Sequence, residues 1–257
     1  MDKPLTLIIG LGQTVGEAIA KRVLEDGHHV LAVDPSQTSI DDLKKATGGK
    51  ADLFVGQTHT RLGLRNALAA AMEQFDRVDH IISIPELPEA DTILDLDMDD
   101  FQGALEKTSW AAVETIRIFS QAMLEREQDQ NATMGQNRQV GTFTFVLSLS
   151  AELSRVGSFT ESVTQNAIFG IVKAASIELA SQGIRVNAVI ALRPRDEQND
   201  EWLKKRTPIG RAAQAEEIAE AAVFLSHPAS TIITGQSIIL DGGRQRLSGI
   251  LADPDED

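Results

Sequence analysis

Short, continuously apolar runs alternate along the chain with longer segments of helical period. The runs are Leu5–Ile9, His29–Val33, Leu53–Val55, His80–Ile84, Thr142–Leu149, Arg185–Ile190 and Ser237–Leu240. They are rich in Val, Ile and Leu and lack polar alternation, which suits parallel strands covered on both faces. Between them, Val15–Leu24 places Val15, Ile19 and Val23 on one stripe, with Gly27 as a stop. Leu62–Phe75 and Ser162–Ser181 read as further helices, the second stopped by Gly183. Seven strands separated by helices predict a single-domain α/β fold, a doubly wound seven-stranded parallel sheet with helices on both faces. The polar stretches Glu125–Val140 and Leu192–Asn199 have no apolar period and predict exposed loops. Residues 1–250 are expected to form the domain, and 251–257 a disordered acidic tail.

Composition narrows the partners. The 257 residues carry a formal net charge of −14, a surface that repels nucleic-acid backbones and anionic lipid, so neither nucleic acid nor membrane is an expected partner. The chain has no cysteine, which removes disulfides, thiolate metal sites and thiol nucleophiles. No apolar run approaches the ~18 residues of a membrane span. Met1–Pro4 lead straight into the first strand without a signal-peptide pattern, and the expected location is the cytoplasm. His28 and His29 read as surface residues at a strand start, with no acidic or histidine cluster at metal spacing.

The first strand ends in Gly10-Leu11-Gly12-Gln13-Thr14-Val15-Gly16, and a helix follows at once. Glycine there lets the backbone turn tightly and approach a pyrophosphate, to which the helix N-terminus offers free N–H groups. The second strand ends in Asp34, where a carboxylate holds the hydroxyls of an adenosine ribose and repels a 2′-phosphate. The pattern favours NAD over NADP. The alternative is a sharp strand-to-helix turn beside a solvated aspartate.

The C-terminal half carries, in order, Gly183-Ile184-Arg185-Val186-Asn187-Ala188-Val189, Thr207-Pro208-Ile209-Gly210-Arg211, Glu216-Glu217-Ile218-Ala219, Phe224-Leu225-Ser226 and Thr234 through Gly243. These motifs and their order are similar to those of the short-chain dehydrogenase/reductase family. The glycine loop fits the same register, with Thr14 in place of the middle glycine and an extra glycine at Gly12. The resemblance implies a Rossmann-type sheet and NAD(H) at its C-terminal edge. It also implies a homotetramer or homodimer formed through the helices around Trp110–Arg126 and Ser162–Ser181 and the last strand.

The same resemblance implies a tyrosine as proton donor and, four residues on, a lysine that assists it and binds the nicotinamide ribose. A serine orients the carbonyl, and an asparagine holds a relay water. Aligned through Gly170, Glu178 and Arg185-Val186-Asn187, the tyrosine position falls on Glu161 and the lysine position on Gln165. The serine position is kept at Ser148 and the asparagine position is Thr108. The family's small residues after the fourth strand fall on Ser83-Ile84-Pro85-Glu86, and its adenine-side acid on Gln57. With no tyrosine anywhere in the chain, no other register restores the pair. A glutamate is normally an anion at neutral pH. About 5 Å from a developing alkoxide, at an effective dielectric of ~20, it raises the barrier by about 3 kcal/mol, roughly a hundredfold in rate.

Two functions remain. One is an NAD-binding sensor, scaffold or regulatory partner of another protein, a pseudoenzyme that has lost carbonyl reduction. The other is an NAD-dependent oxidoreductase of atypical mechanism using Ser148 and Glu161. Against both stands the reading of Glu161 as a solvated first-turn residue, placed there by the helix dipole.

Overall fold

The computed structural model describes residues 3–12, 14–130, 139–192 and 205–249. Seven strands form one sheet: β1 (Leu5–Ile9), β2 (His29–Asp34), β3 (Asp52–Val55), β4 (His80–Ser83), β5 (Gly141–Ser148), β6 (Ile184–Ala191) and β7 (Ser237–Leu240). Their spatial order is β3-β2-β1-β4-β5-β6-β7 and every pairing is parallel. The chain winds outward from β1 in one direction, then returns to start β4 on the other side. The C-terminal ends of β1 and β4 therefore form the switch point at which sheets of this kind bind ligands.

Apolar residues of both parities along the strands are buried, as a sheet covered on both faces requires. Leu5, Leu7, Ile9, Phe143 and Phe145 face a layer made by α3 (Arg61–Phe75), α5 (Ala111–Gln130) and α6 (Phe159–Ala180). Ile8, Val30, Ala32, Val146 and Val189 face α1 (Thr14–Glu25), α2 (Gln37–Ala46) and α7 (Ala215–Ser226). A further helix, α4 (Met98–Leu105), runs through a π turn at Glu106–Trp110 directly into α5.

The sequence predicts a loop from residue 125, whereas α5 continues to Gln130. Glu125, Arg126, Glu127 and Gln128 are good helix formers, and propensity carries a helix on after its apolar stripe ends. Residues 131–138, positions 193–199 of the loop expected over Leu192–Asn199 and the acidic tail lie outside the described residues, as does Gln13, while Leu192 itself is buried against the core rather than exposed. At the opposite, N-terminal edge of the sheet, His28 is half-buried rather than a surface residue, because its ring stacks on the buried His80 at 5.4 Å.

The turn between β1 and α1 is held by its own packing. Gly10 N donates to Val33 O at 2.9 Å, and Gly16 N to Leu11 O at 2.7 Å. Gly10 has φ +77°, and a Cβ on it would sit 2.5 Å from Ile84 O. A Cβ on Gly16 would meet Leu11 O at 2.3 Å. Because backbone is what stands in the way, Gly16→Ala is expected to destabilise the protein by about 2 kcal/mol or more in urea denaturation. An unchanged midpoint would show that the turn gives way easily.

Candidate functional site

The turn delivers Val15 and Gly16 to the buried first turn of α1, while Gly12 (φ +51°) lies at the switch point. Asp34, the last residue of β2, is 9% exposed and is bound to this turn. Its Oδ2 accepts from Leu11 N at 2.9 Å and its Oδ1 from Ser36 N at 2.8 Å. It is thus no solvated aspartate. Each carboxylate oxygen has one backbone donor, which leaves each with further accepting capacity for a ribose hydroxyl. Gln57 lies exposed just beyond β3. Ser83 ends β4, buried, one residue before Ile84. The buried Ile84 side chain stands where a Cβ on Gly12 would meet its Cγ2 at 2.7 Å, so an aliphatic group fills the floor of the crevice beside the turn.

Of the four positions aligned with catalytic groups, Ser148, Glu161 and Gln165 come together at the end of β5 and bond to one another, while Thr108 bonds within its own helix. Glu161 and Gln165 are one helical turn apart on α6 and face the end of β5. Ser148 Oγ donates to Glu161 Oε1 at 2.7 Å, and Ser150 Oγ donates to the same oxygen at 2.9 Å. Ser148 N donates to Gln165 Oε1 at 2.9 Å. The second carboxylate oxygen, Oε2, has Arg155 Nη2 at 4.0 Å. Glu161 is 7% exposed, which corrects the expectation of a solvated first-turn residue. Gln165 is fully buried, and since its oxygen is fixed by Ser148 N, its amide nitrogen is left without a hydrogen-bond partner.

Thr108 lies in the π turn and is buried. Its hydroxyl donates to Ala104 O at 2.6 Å, so its hydrogen is committed within its own helix and is not offered to a relay water. Ser150 is the member that sequence reasoning missed. It sits in a single 3-10 turn just after β5, where no periodicity marks it. A second hydroxyl two residues after Ser148 is its only signal.

Chemically the cluster is closed. The Ser148 hydroxyl hydrogen is held by Glu161. No ammonium group stands at position 165. The one donor without a partner is a neutral amide.

The family model described as enoyl-(acyl carrier protein) reductase matches residues 10–245. Short-chain dehydrogenase reductase 4 of Arabidopsis thaliana is 25% identical over 257 residues, covering 95% of this chain and 83% of that protein. The 3-ketoacyl-(acyl-carrier-protein) reductase of Brucella melitensis, solved with NADH, superposes with a TM-score of 0.82 at 22% identity, covering 94% of this chain and 98% of that one. The gluconate 5-dehydrogenase of Burkholderia cenocepacia, solved with NADP and tartrate, gives 0.81 at 22% identity over 96% of this chain and 97% of that one.

Proposed function

The chain belongs to the short-chain dehydrogenase/reductase family, and from that premise we propose that it is a dinucleotide-binding sensor or regulatory protein that no longer reduces carbonyls. One observation carries the reading. The serine, the glutamate and the glutamine at the catalytic positions satisfy each other, with Ser148 and Ser150 both donating to Glu161 Oε1. A working site needs a donor whose hydrogen is released to the substrate at the moment of reaction. Here the hydrogens are already bound to a buried carboxyl group.

The adenosine and phosphate half of a dinucleotide fits the residues present. The Gly10–Gly16 turn and the start of α1 would hold the pyrophosphate, and Asp34 the adenosine ribose. The nicotinamide half does not fit in the family's manner. The lysine that holds its ribose is replaced by Gln165, and the strand end at Ser83 continues into Ile84 and Pro85 instead of small residues. A bound NAD would supply hydride chemistry, and among the described residues the Ser148 and Ser150 hydroxyl hydrogens are already held by Glu161.

Asp34 supports NAD over NADP, since a 2′-phosphate would lie against its carboxylate. The repulsion, about 3 kcal/mol at ~5 Å and an effective dielectric of ~20, corresponds to roughly a hundredfold in affinity. Titration calorimetry should give NAD+ at least tenfold tighter binding than NADP+, with the gap narrowed in Asp34→Asn. Equal affinities would remove the preference. Failure of both to bind would leave a scaffold without a nucleotide.

The second reading, an oxidoreductase of atypical mechanism, has one observation in its favour. A serine hydroxyl 2.7 Å from a carboxylate oxygen has the spacing of a proton-transfer pair. Against it, Ser148 is only 4% exposed and the same oxygen already accepts from Ser150.

Self-association also belongs to the proposal. Trp110, Val113 and Ile177 stand exposed on the π turn, α5 and α6, in the regions through which a homotetramer or homodimer would form. No described helix is long and apolar enough to cross a membrane, and a cytoplasmic location is part of the same proposal.

A further inference from the structure

On α6, Glu161 and Gln165 point toward β5, while Ser162 and Asn166 lie one residue further on. At about 100° per residue they occupy the next stripe of the helix. That stripe forms one wall of a separate cavity of about 490 Å³. Segments 91–93 and 154–157 complete it, and Ile93, Val156, Phe159 and Val163 give it an apolar lining. Its volume falls in the range of small-molecule sites, which pair an apolar lining with a few placed polar groups.

The placed group is Ser162. It is 8% exposed, and its hydroxyl oxygen is buried with no hydrogen-bond partner. An unpaired buried hydroxyl is destabilising unless something supplies the missing bond. Two nearby polar groups are otherwise engaged. Asn166 Nδ2 donates to Ser162 O at 2.9 Å and to Ser150 O at 3.0 Å, and the Asp91 carboxylate accepts from the backbone and hydroxyl of Thr160. The mouth is apolar as well, with Val156 98% and Ile93 59% exposed. Asp91 and Arg155 bring one charge of each sign to the lining, so neither an anion nor a cation is favoured.

We propose that this cavity is a binding site for a small, neutral, largely apolar molecule bearing one hydrogen-bonding oxygen, with Ser162 as its polar anchor. It is distinct from the cluster aligned with the catalytic residues but joined to it. Asn166 bridges the cavity wall to Ser150, and Ser150 is hydrogen-bonded to Glu161. The site needs no dinucleotide, so its test is independent of the nucleotide reading.

The probe is 6-propionyl-2-(dimethylamino)naphthalene, a neutral naphthalene with one ketone oxygen whose emission reports its surroundings. Titrated into the full-length protein without nucleotide, it should bind saturably, one per chain, with blue-shifted emission. Ser162→Ala, which preserves the fold and removes the anchor, should weaken binding about threefold to tenfold, the loss of one hydrogen bond. Val163→Phe, which fills the cavity, should abolish binding. No saturable binding, or binding unchanged by Ser162→Ala, would overturn the proposal. So would binding that falls as protein concentration rises, in step with a larger sedimentation coefficient, because the cavity would then be a contact between copies of this chain.

Discussion

Glu161→Ala is expected to lower the unfolding free energy by about 3 kcal/mol. The carboxyl group accepts from two buried hydroxyls, on Ser148 and Ser150. Removing the acceptor leaves both donors unpaired, at about 1–3 kcal/mol each before relaxation. The asymmetry of such losses supplies an internal control. In the triple variant Glu161→Ala, Ser148→Ala, Ser150→Ala the donors leave with the acceptor, so the protein should recover a large part of what the single substitution loses. Urea denaturation of the two variants and the parent measures this directly. Groups held for chemistry behave otherwise, since their removal is often neutral or stabilising. A stability gain in Glu161→Ala would therefore place Glu161 among reactive groups and favour the atypical oxidoreductase.

The second large effect belongs to the N-terminal edge of the sheet. His80 is 7% exposed, with its Nδ1 2.9 Å from Thr142 Oγ1. Burial pushes its imidazole down from 6.5 to about 4, with Asp79 opposing the shift. His28, stacked on it, is also lowered by burial. Between pH 6.5 and 4 the unfolded chain binds a proton at His80 that the folded protein refuses, so stability falls as pH falls through that window. Over about 2.5 pH units at ~1.4 kcal/mol each, the loss is about 3 kcal/mol. Asp79 acts in a different range, because the bonds from Arg77 and Leu5 N outweigh its burial and hold its carboxyl below the ordinary value. Its stabilisation is lost only as the pH drops beneath the carboxylate range. Urea midpoints at pH 7 and 4.5 should converge in His80→Gln relative to the parent. An equal acid loss in both would show that His80 is not its source.

Particular residues show how far the sequence alone reaches. β1, β5 and β6 are legible because strands buried on both faces leave continuous apolar runs. The helix α2 is harder to see, since only Ile40 and Leu43 are buried on it. The short α4 fully buries no residue, and although Met98, Phe101 and Leu105 stand at helical spacing, eight residues are too few for that pattern to stand out. At the site, the positions of Glu161, Gln165, Ser148 and Thr108 are legible only through the family register, which fixes which residue stands where. What they do to one another is not. That Glu161 is buried follows from Ser150 and Arg155 converging on it from the segment after β5. That Ile84 packs on Gly12 follows from the pairing of β1 with β4. Both are consequences of topology, without local pattern. The His28–His80 stack is of the same kind, joining residues on two different strands or their approaches.

The direct test is turnover under conditions in which the cofactor is bound. With the purified protein saturated by NADH, oxidation is followed by absorbance across a panel of aldehydes and ketones between pH 6 and 9. The expected result is no oxidation above the buffer background, while calorimetry on the same sample registers nucleotide binding. Turnover that disappears in both Glu161→Gln and Ser148→Ala would contradict it, and would make the buried serine–glutamate pair a working proton relay.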